Sequence, residues 1–204
     1  MNRQMTGLMT RLPAAALIAA GLVVAAACSD AVRQGRASSY LVIDDLAASS
    51  GAAPSQFKNT LESDVVTNGS VFEDLGQVTL RISMKDPGTT DAPTTPSPTN
   101  EITVDRYHVA YVRADGRITQ GVDVPYAFDG ATTGTITASG STLTFVLVRA
   151  QAKLEAPLMA LAGGGGSVVI STIAQVTFYG RDQAGNDASV TGQISVNFAD
   201  WADK

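Results

Sequence analysis

The sequence predicts an all-β, antiparallel sandwich of about eight or nine strands with short helical turns in its loops, and three observations carry that prediction. Apolar and polar residues alternate at period two in several segments, most regularly around Val78, Leu80, Ile82 and Met84, and around Val190, Ile194, Val196 and Phe198. Turn signals built from Gly, Asn and Asp separate such segments at short spacing. The long helical crossovers that an α/β fold requires between strands are not visible.

Taken in order, Tyr40-Leu41-Val42-Ile43 reads as a first strand that ends at Asp44-Asp45. The spacing of Phe57 and Leu61, with Ser55 as a cap, predicts about two helical turns within 53–61. Asn68-Gly69 lies between Asp64-Val65-Val66 and Ser70-Val71-Phe72 and predicts a tight hairpin, since both central residues must tolerate positive φ. Residues 78–84 form a strand with one buried and one wet face. Residues 87–100 hold four prolines and five threonines, too many lost donors for a ladder, and so form an exposed loop.

Ile102 and Val104 face opposite to Tyr107, Val109 and Tyr111, so a continuous strand needs a bulge near Asp105-Arg106. Ala114-Asp115-Gly116-Arg117 turns the chain. Val122, Val124, Tyr126 and Phe128 then predict a return strand, with Pro125 favouring a sheet edge. Asp129-Gly130 and Ser139-Gly140 bracket a strand around Thr135-Ile136-Thr137, and Leu143–Val148, apolar on both parities apart from Thr144, suits a central strand. Leu154, Leu158, Met159 and Leu161 give an apolar helical turn interrupted by Pro157 and ended by Gly163–Gly166. That segment is either a plug at one end of the sandwich or an exposed contact. A long pair closes the chain, from Val168 to Tyr179 and from Val190 to Phe198.

The segment Thr177-Phe178-Tyr179-Gly180-Arg181-Asp182-Gln183-Ala184-Gly185-Asn186 resembles the last hairpin of bacterial immunoglobulin-like domains, where an Asp-x-x-Gly-Asn turn joins the final two strands. The resemblance covers about 30 residues and implies an immunoglobulin-like sandwich. No Cys-Trp-Cys core signature accompanies it, because Trp201 lies near the end.

The first 28 residues carry a different message. Arg3 and Arg11, with no acidic residue, precede an apolar run from Leu12 to Ala27 that is shorter than the roughly 20 residues of a spanning helix. The run ends in Ala25-Ala26-Ala27, directly before Cys28, the single cysteine of the chain. This arrangement resembles the lipobox of bacterial lipoproteins, although Ala25 stands where that family usually has Leu. The resemblance implies a signal peptide over 1–27 and lipidation of Cys28, whose sulfur receives a diacylglyceryl group. Ala-Ala-Ala also suits an ordinary signal peptidase, which leaves a soluble exported protein as the alternative. The small, polar stretch 28–38 reads as a flexible tether and 39–204 as one domain near the common size. Ser29 after the cysteine resembles lipoproteins passed to an outer membrane, in a cell that has one.

Removing Arg3 and Arg11 leaves 12 basic against 19 acidic residues, a mature net charge of −7. With no clustered Lys or Arg, nucleic acid is not an expected partner. One His and one Cys are too few for structural zinc. His108, between Tyr107 and Val109, is expected to face solvent and not to act as a base, and no catalytic residue is assigned. Glu73-Asp74 and Asp44-Asp45 read as turn or solvated-face residues. Asp182, Asn186 and Asp187 are the candidates for a calcium site, set against the reading in which they shape an Asx-type turn. The expected function is a non-enzymatic, lipid-anchored envelope module that presents loops 87–100, 129–131 and 162–167 to a protein or glycan. The alternatives are a structural assembly or spacer lipoprotein and, third, a small hydrolase.

Overall fold

A computed structural model describes residues 35–201, so the expected signal peptide, Cys28 and most of the expected tether lie outside the described residues. The fold is all-β. Strands β1 (Ser39–Ser49), β3 (Asp74–Met84) and β8 (Ser141–Val148) form a three-stranded antiparallel sheet in the order β1-β3-β8. A five-stranded sheet in the order β2-β10-β9-β6-β7 faces it and curls into a half-barrel. Its members are β2 (Thr60–Asp64), β6 (Ile102–Arg113), β7 (Phe128–Ile136), β9 (Ile170–Asp182) and β10 (Asp187–Ala199).

The inward parity of each strand supplies the shared core. Val78, Leu80 and Ile82 from β3 and Leu143, Phe145 and Leu147 from β8 meet Val109 of β6, Val176 and Phe178 of β9, and Ile194, Val196 and Phe198 of β10. The expected bulge is present, because the register of β6 shifts between Val104 and Arg106 against both β7 and β9. That shift lets Ile102, Val104, Tyr107, Val109 and Tyr111 all point inward. The loop 87–100 is exposed and holds only the two-residue strands β4 (Gly88–Thr89) and β5 (Ala92–Pro93) and a 3-10 turn, Pro98–Asn100.

Several expectations are corrected. The helix expected within 53–61 is absent: residues 51–55 turn, and Leu61 belongs to β2. Leu61, Ser63 and Val65 are buried at period two, which a strand satisfies, whereas Phe57 and Leu61 alone cannot cover a helical face. β2 also runs parallel to β10, so the sheets are not wholly antiparallel. Asn68 and Gly69 do adopt positive φ, at 49° and 74°, but the turn closes a single bridge between Thr67 and Ser70. A longer hairpin cannot form there because β2 and β3 lie in opposite sheets.

Residues 122–127 are not a strand. Val122 and Tyr126 face solvent and Val124 alone is buried, while a tight loop pairs Gln120 with Val124 just before the donorless Pro125. The ladder begins at Phe128, opposite Val109, so Asp129-Gly130 lies inside β7 and 129–131 is not a loop. β7 is an edge strand. β8 is an edge and not a central strand; its apolar character reflects cover from the other sheet, where the Tyr107 hydroxyl accepts from Val146 N–H at 3.2 Å. Leu158 and Leu161 of the 3-10 turn Leu158–Leu161 plug the core, whereas Leu154 and Met159 point outward.

Ile82→Asp or Val196→Asp should abolish folding, since each places an unpaired charge where the side chain is at most 3% exposed. Arg81→Asp breaks one solvated ion pair with Asp44 and should cost less than about 1 kcal/mol. Circular dichroism and urea titration of the three variants distinguish these outcomes.

Candidate functional site

The turn that joins β9 to β10 brings the calcium candidates together, and their donors and acceptors are directed at one another. Asp182 is buried; its Oδ1 accepts from the N–H groups of Ala184 (3.0 Å) and Asn186 (2.8 Å), and its Oδ2 accepts from Asn186 Nδ2 (2.9 Å). Asp187 is held by Arg181 Nε at 2.8 Å. Asn186 therefore turns a donor toward Asp182, and the arrangement is that of an Asx-type turn. Gly185 has a φ of 83° and donates its N–H to the Asp182 carbonyl at 3.0 Å. Among the described residues, no group of three His, Cys, Asp or Glu side chains is placed to hold a metal ion.

The outer face of the five-stranded sheet carries a polar row across β7, β6 and β9. His108 Nδ1 stands 3.2 Å from Asp129 Oδ1, a partner hidden from sequence reading because Asp129-Gly130 has the form of a turn. Arg106, placed outward by the bulge, lies 4.2 Å over the Tyr179 ring and 3.6 Å from Asp129. Beside it, Asp105, Arg106, Tyr179, Arg181 and Asp187 line a shallow cleft of about 310 Å³. The side chains of His108 and Asp129 are 36% and 58% exposed, so the pair is open to water.

The loops occupy two ends. Ser39 pairs with Met84 and Ile102 with Asp182, which puts the start of β1, loop 87–100 and turn 183–186 at one end. The opposite end holds 114–127, 149–169 and Trp201, so loops 87–100 and 162–167 do not form one surface. Of the exposed large apolar side chains among the described residues, all but Tyr40 in β1 and Ile173 in β9 lie in segments at that far end, including Ile118, Val122, Tyr126, Leu154, Met159 and Val168. Asp115, also there, is held at about 2 by the hydrogen bond from Arg117.

Inside the far end lies a buried polar cluster. Asp74 Oδ1 accepts from Lys153 Nζ at 2.9 Å and from Gly51 N–H at 2.8 Å, while Oδ2 accepts from Ser63 Oγ at 2.6 Å. The Lys153 and Asp74 side chains are 1% and 0% exposed. A Cβ on Gly51 would collide with Phe72 and the Glu73 carbonyl, so glycine is what lets that N–H approach. Burial raises the Asp74 carboxyl above the ordinary carboxylate range, against the opposing pull of Lys153, Ser63 and Gly51. Burial likewise pushes up the phenol of Tyr111, whose hydroxyl donates to the Leu147 carbonyl at 2.5 Å. Reading Glu73-Asp74 as solvated is therefore corrected for Asp74. Its signal was present: extended backward from Val78, the inward parity of β3 reaches Gly76 and then Asp74. Lys153 had no such signal.

No family model matches this chain, and no curated protein matches it in sequence.

Gly185→Val should cost on the order of 1–3 kcal/mol, because a β-branched residue is strained at positive φ. The melting temperature should be the same in calcium and in chelator, as an ion bound only to the folded state would raise it. A calcium-dependent rise that Asp182→Asn and Asp187→Asn both erase would reassign the turn to metal binding.

Proposed function

We propose that the chain is a lipid-anchored envelope lipoprotein whose single immunoglobulin-like domain binds a protein or glycan partner without catalysing a reaction. The strand order supports the immunoglobulin-like reading: β6, β9 and β10 take the places of strands C, F and G, with β7 added beside C, and β3 and β8 stand opposite in the places of B and E. The Arg3–Ala27 pattern and the position of Cys28 support the anchor.

One observation carries the binding reading. Exposed apolar side chains gather at the end of the domain away from Ser39, and water-facing apolar groups concentrated at one place mark contact surfaces. An anchor at Cys28 enters through Ser39, on the side of loop 87–100, so the apolar end is the one held out from the membrane. His108 and Asp129 sit on a solvated sheet face, a poor setting for acid–base chemistry, which benefits from excluded water.

The anchor predicts that wild-type protein fractionates with membranes as a diacylglyceryl-modified chain beginning at Cys28, and that Cys28→Ser is released. An unmodified Cys28 at the mature N-terminus would overturn it. For binding, the mature protein is used to capture partners from its own envelope, with proteins and glycans scored separately, beside an Ile118→Asp, Val122→Asp variant. Both positions are exposed, so the variant should fold. Its affinity for the captured partner should fall at least about tenfold, equivalent to about 1.4 kcal/mol. Equal capture by both proteins would remove the far end as the binding surface.

A further inference from the structure

We propose that the far end receives an acidic segment of a partner protein: an Asp or Glu carboxylate docks on the guanidinium of Arg149 while its apolar neighbours meet the exposed side chains around it. The proposal rests on the reading of that end as a contact surface and names the chemistry it contacts. Arg149 follows β8 and precedes the short helix Ala150–Lys153. Among the described residues, Arg81, Arg106, Arg113, Arg117 and Arg181 each have an aspartate at ion-pair distance. Arg149 has none, and neither has Arg36, which stands exposed before β1.

Arg149 differs from a free surface cation in that its charge is held in one place. The guanidinium carbon stands 4.6 Å over the Phe128 ring, and Nε is buried with no acceptor among the described residues. The two Nη groups have no acceptor in the described domain and are not buried, so they face water. Together they form a fork of donors that fits the two oxygens of one carboxylate. A partly desolvated guanidinium without a counter-ion has lost solvation that nothing in the domain restores, and an arriving carboxylate restores it. Because Phe128 already fixes the side chain, little rotamer freedom is lost on binding.

The surroundings decide the class of partner. The acids of segments 114–127, 149–169 and 200–201 are met from within the domain: Asp115 and Asp123 by Arg117, Glu155 by Gln151, and Asp200 by the Gly163 N–H. Glu73 acts on the same Tyr107 phenol as Arg149 but forms no ion pair with it. One unpaired cation in a chain of net charge −5 suits a single carboxylate and not a polyanion. Tyr126 precedes Phe128 by two residues, and Leu154 closes the helix that Arg149 opens, so both segments meeting at the guanidinium carry an exposed apolar side chain. A carboxylate flanked by apolar groups is a peptide pattern, whereas a sugar acid brings hydroxyls that such neighbours leave unmet.

Selection from a library of short random peptides, acetylated and amidated so that side chains hold the only carboxylates, tests the proposal on purified full-length protein in detergent. Peptides retained by the wild type should carry Asp or Glu beside apolar residues, and Arg149→Met should lower their retention at least about tenfold. Arg149→Lys should keep part of it, since an ammonium supplies the charge without the bidentate fork. Arg149→Glu should exchange the preference for peptides bearing Lys or Arg, a result that a misfolded variant cannot give. Acidic peptides held equally by wild type and Arg149→Met would overturn the proposal, as would a wild type that enriches no acidic peptide or prefers the acidic polysaccharide alginate. Retained peptides that lack acid but are lost from the Ile118→Asp, Val122→Asp variant would overturn it too, while leaving the contact surface in place. Retention unaffected by either set of changes would remove both.

Discussion

Two tyrosines of β6 hold the two sheets together, and the rest of the fold depends on that coupling. Tyr107 packs against Phe145 from the opposite sheet at 5.1 Å between ring centroids and against Phe128 and Phe178 from its own. Its hydroxyl accepts from Val146 N–H while Tyr111 donates to the Leu147 carbonyl. β8 is an edge strand whose backbone groups on its free side need partners. Tyrosine suits this task because a large apolar ring fills the core while its hydroxyl reaches across to the other sheet. The close fit also explains the glycine at position 130, where a Cβ would collide with the Tyr107 ring.

How far the fold was legible follows from which residues carry a local signal. The inward parity of β3, β9 and β10 was written in alternation, and the bulge in β6 in a change of parity, because burial acts on each side chain separately. Sheet membership has no such local mark. Leu143–Val148 is apolar on both parities, as a central strand would be, yet the cover comes from β6 and β7 across the interface. Val122, Val124 and Tyr126 alternate as a strand does, but the glycine turn at Gly121 and the missing donor of Pro125 divert the backbone. β2 was hidden because its one ladder is parallel and pairs residues far apart in the chain.

The same distinction governs the sites. The closing turn was legible because the hydrogen bonds that shape it fall within Arg181–Asp187, a span over which residue types decide geometry. The Asp74 cluster draws on Gly51, Ser63, Asp74 and Lys153, from four segments separated by as many as 79 positions between the ion-paired partners. Only the packed fold brings them together, and the charge balance of the sequence counts Asp74 and Lys153 as ordinary surface residues.

Position makes that cluster more than a local curiosity. Its members flank the segments that carry the exposed apolar side chains: Phe72 precedes Asp74 by two residues and Leu154 follows Lys153 directly. A surface that presents apolar groups to water gains little from its own exposed contacts and needs rigidity from beneath, since ordering loops on binding subtracts from affinity. The cluster supplies it from inside the domain. Gly51, Ser63 and Lys153 all converge on one carboxylate, so the loop after β1, the end of β2, the start of β3 and the helix after β8 are fixed relative to one another. Leu158 and Leu161 anchor the next turn into the core, which leaves Met159 outward between them. The outward apolar residues of these segments thus stand on backbone held by these contacts, the preorganisation that the proposed contact surface requires.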